Sequence, residues 1–230
     1  MSLTTDGQGR NGAQDDGTGD APIRRVNDAA DHAPINAPRS WPGQSPATDP
    51  AVVGRETLLT TPWLTVASKL MRGMPGSTGD DAYIVVRPRD YVSVIAVTTD
   101  DTLLLVRQYR PAVERYTLEL PSGLVDAGES PENTARRELL EETGYRAGDL
   151  HDLGSLVPDT GRSENTLWCY VALGVEPALD AGPPEVGMEV LRVQLSDLLM
   201  LLRAPDFDHA LHLAVILRAI AHGYLPLPRA

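Results

Sequence analysis

The chain has 230 residues, of which 42% are hydrophobic and 23% charged, an ordinary globular composition that suits one folded domain with a tail. Its formal charge of −12 excludes a nucleic-acid backbone as the main partner, because proteins that track such backbones need a basic surface. The single cysteine, Cys169, excludes an intrachain disulfide and reads as a small buried residue. No apolar run is long enough to span a bilayer, and the first residues lack the regions of a signal peptide, so the expectation is a cytoplasmic protein with no membrane partner.

In chain order, residues 1–51 are rich in Gly, Asp, Pro, Asn and Thr and cannot bury enough apolar surface to offset the entropy of ordering them. A disordered tail is expected there, with Trp41 exposed, and residues 52–230 form the folded domain. Strands are expected over 56–63 and 64–71, then over 82–88, 91–98 and 102–110, with Thr99-Asp100-Asp101 as a tight turn. The run Val92-Ser93-Val94-Ile95-Ala96-Val97 suits a strand buried on both faces. Further strands are expected over 116–120, 150–157, 166–175 and 189–195. Ser196 is read as the cap of a short helix, and Asp206 as the start of a longer one running to His222, whose imidazole suits the negative end of that helix. His209 and His212 lie three apart on it and read as packing or surface residues, not metal ligands. Strands with a helix between them and helices at the end make an α+β fold, a mixed sheet with helices packed on it.

The chemistry concentrates between residues 123 and 145. Ser130 followed by Pro131 is a helix start, and Gly144, which can adopt the left-handed conformation, is the stop. At ~100° per residue, Glu138, Glu141 and Glu142 fall on one arc, while Ala135, Leu139 and Leu140 fall on another that can face a core. A solvated acidic face would explain the three acids cheaply, since like charges at these spacings cost only ~0.2–0.5 kcal/mol per pair. The alternative is a hard-metal site, and the loop upstream favours it. Four carboxylates after a glycine loop suit metal-assisted attack of water on phosphorus.

Gly123, five residues, Glu129, seven residues, then Arg137-Glu138-Leu139-Leu140-Glu141-Glu142-Thr143-Gly144-Tyr145 resembles the signature of the Nudix hydrolases. Every fixed position matches, and the one departure is Tyr145, where Ile, Leu or Val is usual. The resemblance implies an α/β/α sandwich, with residues 52–230 as the Nudix domain and an N-terminal β extension. It implies Mg²⁺, with Mn²⁺ as substitute, held by Glu138 and Glu142, by Glu141 as a shared ligand and by the Ser122 carbonyl. It implies that Glu129 and Arg137 form a pair fixing loop to helix.

Residues outside the box narrow the resemblance. Val106-Arg107-Gln108-Tyr109-Arg110-Pro111, Leu118-Glu119-Leu120-Pro121-Ser122-Gly123 and Pro158-Asp159-Thr160-Gly161-Arg162-Ser163-Glu164-Asn165 are similar to the ADP-ribose pyrophosphatase branch. That branch implies hydrolysis of a nucleoside diphosphate sugar to a nucleoside monophosphate and a sugar phosphate. GDP-mannose, NADH, a damaged nucleoside triphosphate and a non-catalytic nucleotide sensor are the alternatives. In the branch a loop glutamate binds metal or acts as base, which makes Glu164 a catalytic candidate beside Glu141; a solvated loop acid is the other reading. Arg110 and, less strongly, Arg89 stand at strand ends where a guanidinium can grip a diphosphate. Glu119 either contacts the nucleoside or ends its strand. Trp63, Tyr83 and Tyr109 are available for stacking on a base, or for packing. A homodimer is expected through the first two strands, whose Leu58, Leu59, Trp63, Leu64 and Val66 need cover that a two-stranded element cannot give itself.

Overall fold

In the computed structural model, which describes residues 49–181 and 186–227, the strand Tyr91–Thr98 is the centre of the molecule, with all but its first residue buried. The expected tail as far as residue 48, Trp41 included, lies outside the described residues. In chain order the elements are β1 (Ala51–Thr60), β2 (Leu64–Arg72), β3 (Asp80–Pro88), β4 (Tyr91–Thr98), β5 (Thr102–Arg110), β6 (Arg115–Glu119), β7 (Ser122–Leu124) and α1 (Pro131–Thr143). After them come β8 (Tyr145–Arg146), β9 (Asp149–Leu156), β10 (Leu167–Pro177), β11 (Glu189–Gln194), α2 (Leu198–Leu202) and α3 (Ala210–Ala221).

β4 runs parallel to β10 and antiparallel to β5 and β7, and the larger sheet is completed by β11 and β6 on β5 and by β8 and β9 on β10. The two-residue period of β4 divides its side chains between two cores. Val92, Val94 and Ala96 pack with Ala135 and Leu139 of α1 on one face, and Ile95 and Val97 pack with Phe207, Val215, Ile216 and Ala219 on the other. This is the α/β/α sandwich. Ile95 and Leu139 are each 0% exposed, so truncating either to Ala removes about 2–5 kcal/mol. Cys169 is fully buried in the α3-side core, and burial pushes its thiol up to about 11.

Four expectations are corrected. The two N-terminal strands are not a pair but part of a three-stranded sheet β1-β2-β3, since β3 lies along the whole of β2. β1 begins at Ala51 and ends at Thr60, and Thr61 then closes the turn by accepting from the N–H groups of Trp63 and Leu64. Ser196 lies inside a 3-10 turn, Leu195–Asp197, and caps nothing; the helix starts one residue beyond that turn. α3 starts at Ala210 instead of Asp206, because the Asp206 carbonyl is taken by the Leu118 N–H and buried Phe207 turns back to donate to Ala204.

Candidate active site

α1 begins where its capping chemistry requires. The Ser130 hydroxyl accepts from the Asn133 N–H at 3.2 Å, Pro131 occupies the first turn, and Gly144 ends the helix at φ 73°. Its buried face, Ala135 and Leu139, packs on β4, which directs the acidic arc toward the β6–β7 connection. Glu142, only 2% exposed, accepts from the Ser122 N–H at 2.9 Å. The Glu138 carboxylate rests on Gly123 so closely that a Cβ at Gly123 would stand 1.9 Å from its Cδ. That close approach, and not backbone conformation, is what demands glycine there. Glu141 is the most open of the three acids, with 55% of its side chain exposed.

Arg137 does more than the sequence expectation assigns it. Its Nε and Nη2 grip both oxygens of Glu129 at 3.1 and 2.9 Å, which pairs loop with helix, and Thr134 adds a third donor at 2.8 Å. The Arg137 fork is the main reason the Glu129 carboxyl is held down at about 2. Its Nη1, in addition, bridges Glu138 at 2.8 Å and Glu141 at 3.0 Å. One guanidinium thus neutralises two of the three acids assigned to metal.

Arg110 and Glu119 are one unit. The guanidinium donates to both carboxylate oxygens at 2.8 and 2.6 Å, and Thr117 donates at 2.6 Å. Glu119 is 2% exposed; burial alone would raise its pKa, yet the bonds from Arg110 and Thr117 outweigh burial and hold it at about 2. Arg110, with 43% of its side chain exposed, keeps a solvent-facing side. Arg89 donates to the Val125 carbonyl at 2.7 Å and to Asp126 at 2.6 Å, so it clamps the loop that leads from β7 to α1.

Beneath the β6–β7 connection lies His212 of α3, 2% exposed and stacked on His209 with ring centroids 4.1 Å apart. Burial pushes its pKa down to about 3. Its Nδ1 accepts from the Leu120 N–H at 3.2 Å and its Nε2 lies 3.2 Å from the Ser122 hydroxyl.

Glu164 stands at the edge of the N-terminal sheet, where the 162–164 loop bonds β3 through Val86 N–H to Arg162 O and Glu164 N–H to Val86 O. Its carboxylate is surrounded by Lys69, Arg55 at 3.3 Å and Arg87 at 2.9 Å. The Lys69 hydrogen bond is the chief reason its pKa falls to about 2. This cationic shell was missed from the sequence, although a signal for it existed. Arg55 and Lys69 are directly opposed across β1 and β2, and like charges opposed in that way are unfavourable unless an anion joins them.

All the candidate metal donors are hard oxygens, a set that fits Mg²⁺ or Mn²⁺ and suits no soft metal. Among the described residues no three His, Cys, Asp or Glu side chains converge to hold an ion as they stand, and Arg137 takes up Glu138 and Glu141 instead. Among the described residues, too, no helix is long and apolar enough to cross a membrane.

A family model for the NUDIX domain matches residues 87–213. The ADP-ribose pyrophosphatase of Bacillus subtilis (strain 168) is 33% identical over 135 residues, covering 58% of this chain and 72% of that protein. The methanol dehydrogenase activator of Bacillus methanolicus is 38% identical over 91 residues, 40% of this chain and 49%, about half, of that one. A crystal structure of an ADP compounds hydrolase superposes with a TM-score of 0.66 at 28% identity, covering 79% of this chain and all of that one. The domain match spans the central sheet, the acidic helix, the 158–165 loop and the start of α3, and with the sandwich and the complete acidic box it establishes that the chain belongs to the Nudix family.

Proposed function

We propose that this chain is a pyrophosphohydrolase that uses a divalent metal, Mg²⁺ or Mn²⁺, to cleave the diphosphate of ADP-ribose or a similar nucleoside diphosphate sugar, giving a nucleoside monophosphate and a sugar phosphate. The observation that carries this reading is the acidic end of α1 packed against the β7 main chain: Glu138 on Gly123, Glu142 on the Ser122 N–H and Glu141 beside them. The names of its relatives and of the superposed structure, ADP-ribose pyrophosphatase and ADP compounds hydrolase, favour an ADP-containing substrate over GDP-mannose or a triphosphate.

Glu138, Glu141, Glu142 and the Ser122 carbonyl would hold the metal, which when bound neutralises phosphate oxygens and lowers the pKa of water. Arg137 would release Glu138 and Glu141 to it while keeping Glu129, whose two bonds do not involve the released nitrogen. Arg110, oriented by buried Glu119, and Arg89 are the side chains we assign to the diphosphate; a guanidinium fork matches two phosphate oxygens. Glu164 is assigned as the base. Held by three cations it is too weakly basic to take a proton, so substrate phosphate must draw Lys69, Arg55 and Arg87 away from it first.

A panel of nucleoside diphosphate sugars and dinucleotides, assayed with Mg²⁺ in ¹⁸O-labelled water, tests the proposal. The expected products are AMP and a sugar phosphate, with label on one phosphate. Label on the anomeric carbon overturns the mechanism, and no turnover of any diphosphate with Mg²⁺ or Mn²⁺ overturns the function.

A further inference from the structure

The β6–β7 connection, Leu120-Pro121-Ser122, belongs to no strand until Ser122, yet it carries the Ser122 main chain that meets Glu142. Three elements hold it. β4 donates through the Val94 N–H to the Pro121 carbonyl at 2.9 Å, α1 accepts from the Ser122 N–H through Glu142, and α3 reaches it from below through His212. The third contact comes from 92 positions along the chain and is fully buried.

The protons of this contact can be assigned. The Leu120 N–H can only donate, so the imidazole Nδ1 that it meets at 3.2 Å carries no proton. The neutral ring therefore bears its proton on Nε2, which donates to the Ser122 hydroxyl oxygen at 3.2 Å. That hydroxyl is left to donate its own proton, and the Leu120 carbonyl stands 2.8 Å away to accept it. The circuit closes on itself: Leu120 N–H to imidazole, imidazole to Ser122 hydroxyl, Ser122 hydroxyl to Leu120 carbonyl. Each polar atom is used once, and the stacked His209 ring, at 18° to the His212 plane, keeps the imidazole from tipping.

We propose that His212 is a positioning residue for the metal-binding loop, bracing Leu120 and Ser122 from beneath so that the Ser122 main chain stays registered on Glu142. The proposal rests on the metal assignment made above. A histidine that merely filled space would be replaceable by an apolar side chain of similar size. One that braces the loop is replaceable in part only by a group that restores a bond, and partners of this kind are worth ~10–100-fold in metal affinity.

The test is Mn²⁺ binding to the full chain without substrate, followed by EPR, for wild type, His212→Leu, His212→Asn, Ser122→Ala and Glu142→Gln, with circular dichroism and thermal melts on each. His212→Leu is expected to stay folded and bind Mn²⁺ ~10–100-fold more weakly. His212→Asn, whose amide oxygen can still accept from the Leu120 N–H, should recover part of that loss. Ser122→Ala keeps the imidazole and removes only the hydroxyl it braces; it should weaken Mn²⁺ binding as well, and it decides the matter if His212→Leu does not fold. Wild-type Mn²⁺ affinity in folded His212→Leu, or in Ser122→Ala, while Glu142→Gln has lost it, overturns the bracing role and leaves the metal assignment standing. Wild-type affinity in Glu142→Gln overturns the metal assignment itself.

Discussion

Replacing Gly123 by alanine isolates the position of one carboxylate from everything else in the site. The added Cβ would lie 1.9 Å from Cδ of Glu138 and 2.0 and 2.3 Å from its oxygens, against an ordinary contact of 3.4 Å or more. The Glu138 carboxylate must therefore move by more than about 1 Å, and a misplacement of that size costs ~10²-fold in rate. Stability should hardly change. The obstructing atoms are the end of a flexible side chain, whose shift to a poorer rotamer costs ~0.5–1.5 kcal/mol. Gly123 lies outside the left-handed region, so alanine adds no backbone strain there and recovers ~0.4–1 kcal/mol by restricting the unfolded chain. The two effects nearly cancel. The assay is turnover of ADP-ribose at saturating Mg²⁺ beside a thermal melt: a melting temperature within a few degrees of wild type and kcat lower by about two orders of magnitude. Shortening the displaced side chain in the same background, with Glu138→Asp added, should restore part of the loss. A Gly123→Ala enzyme with near-wild-type kcat would refute the reasoning, because the carboxylate would then have been moved without consequence.

Four other outcomes are expected. Glu138→Gln and Glu142→Gln should each lower turnover by ~10²-fold or more with the fold intact, since each removes a charge without adding bulk; full activity at saturating Mg²⁺ would remove them from the site. Arg110→Met leaves Glu119 buried without its guanidinium and should destabilise the chain by about 3 kcal/mol in urea titrations, a loss that Glu119→Gln added to it largely repairs. The same pair sets an acid limit: Glu119 has its pKa depressed from 4.5 to about 2, so its contribution is complete above about pH 4.5 and lost as pH falls toward 2, and urea midpoints over that range should fall less in Glu119→Gln than in wild type. Finally, the chain should be a homodimer through the N-terminal sheet, whose Leu59, Trp63 and Ile84 are 53%, 73% and 55% exposed. Light scattering at micromolar concentration should give a dimer for wild type and a monomer for Leu59→Glu with Ile84→Glu; a monomeric wild type refutes it.

The parts of this fold that can be read from the chain are those whose causes lie within a few residues. Ser130, Pro131 and Gly144 delimit α1 because caps act through neighbouring main-chain groups, and β4 announces itself because burial on both faces leaves no polar alternation. β7 and β8, of three and two residues, exist only by pairing with β4 and β10, and nothing in their own composition announces them. The start of α3 depends on Leu118, which no local pattern around Asp206 contains. The site divides in the same way. Gly123, Glu138 and Glu142 sit within one loop and helix, so their spacing is itself a geometric statement. Glu164 and Ser122 belong to local motifs too, but what controls them does not: Lys69 reaches Glu164 through the register of a separate sheet, and His212 reaches Ser122 from the last helix. Arg110 shows the same limit at shorter range, for a strand-end arginine looks free until the β5–β6 hairpin brings Glu119 onto it. The carboxylates proposed to hold metal therefore lie in one short segment, whereas the basicity of Glu164 and the placement of Ser122 are properties of the folded chain. Mutations far from the box, at Lys69 or His212, should for this reason alter the chemistry while leaving the signature of the family untouched.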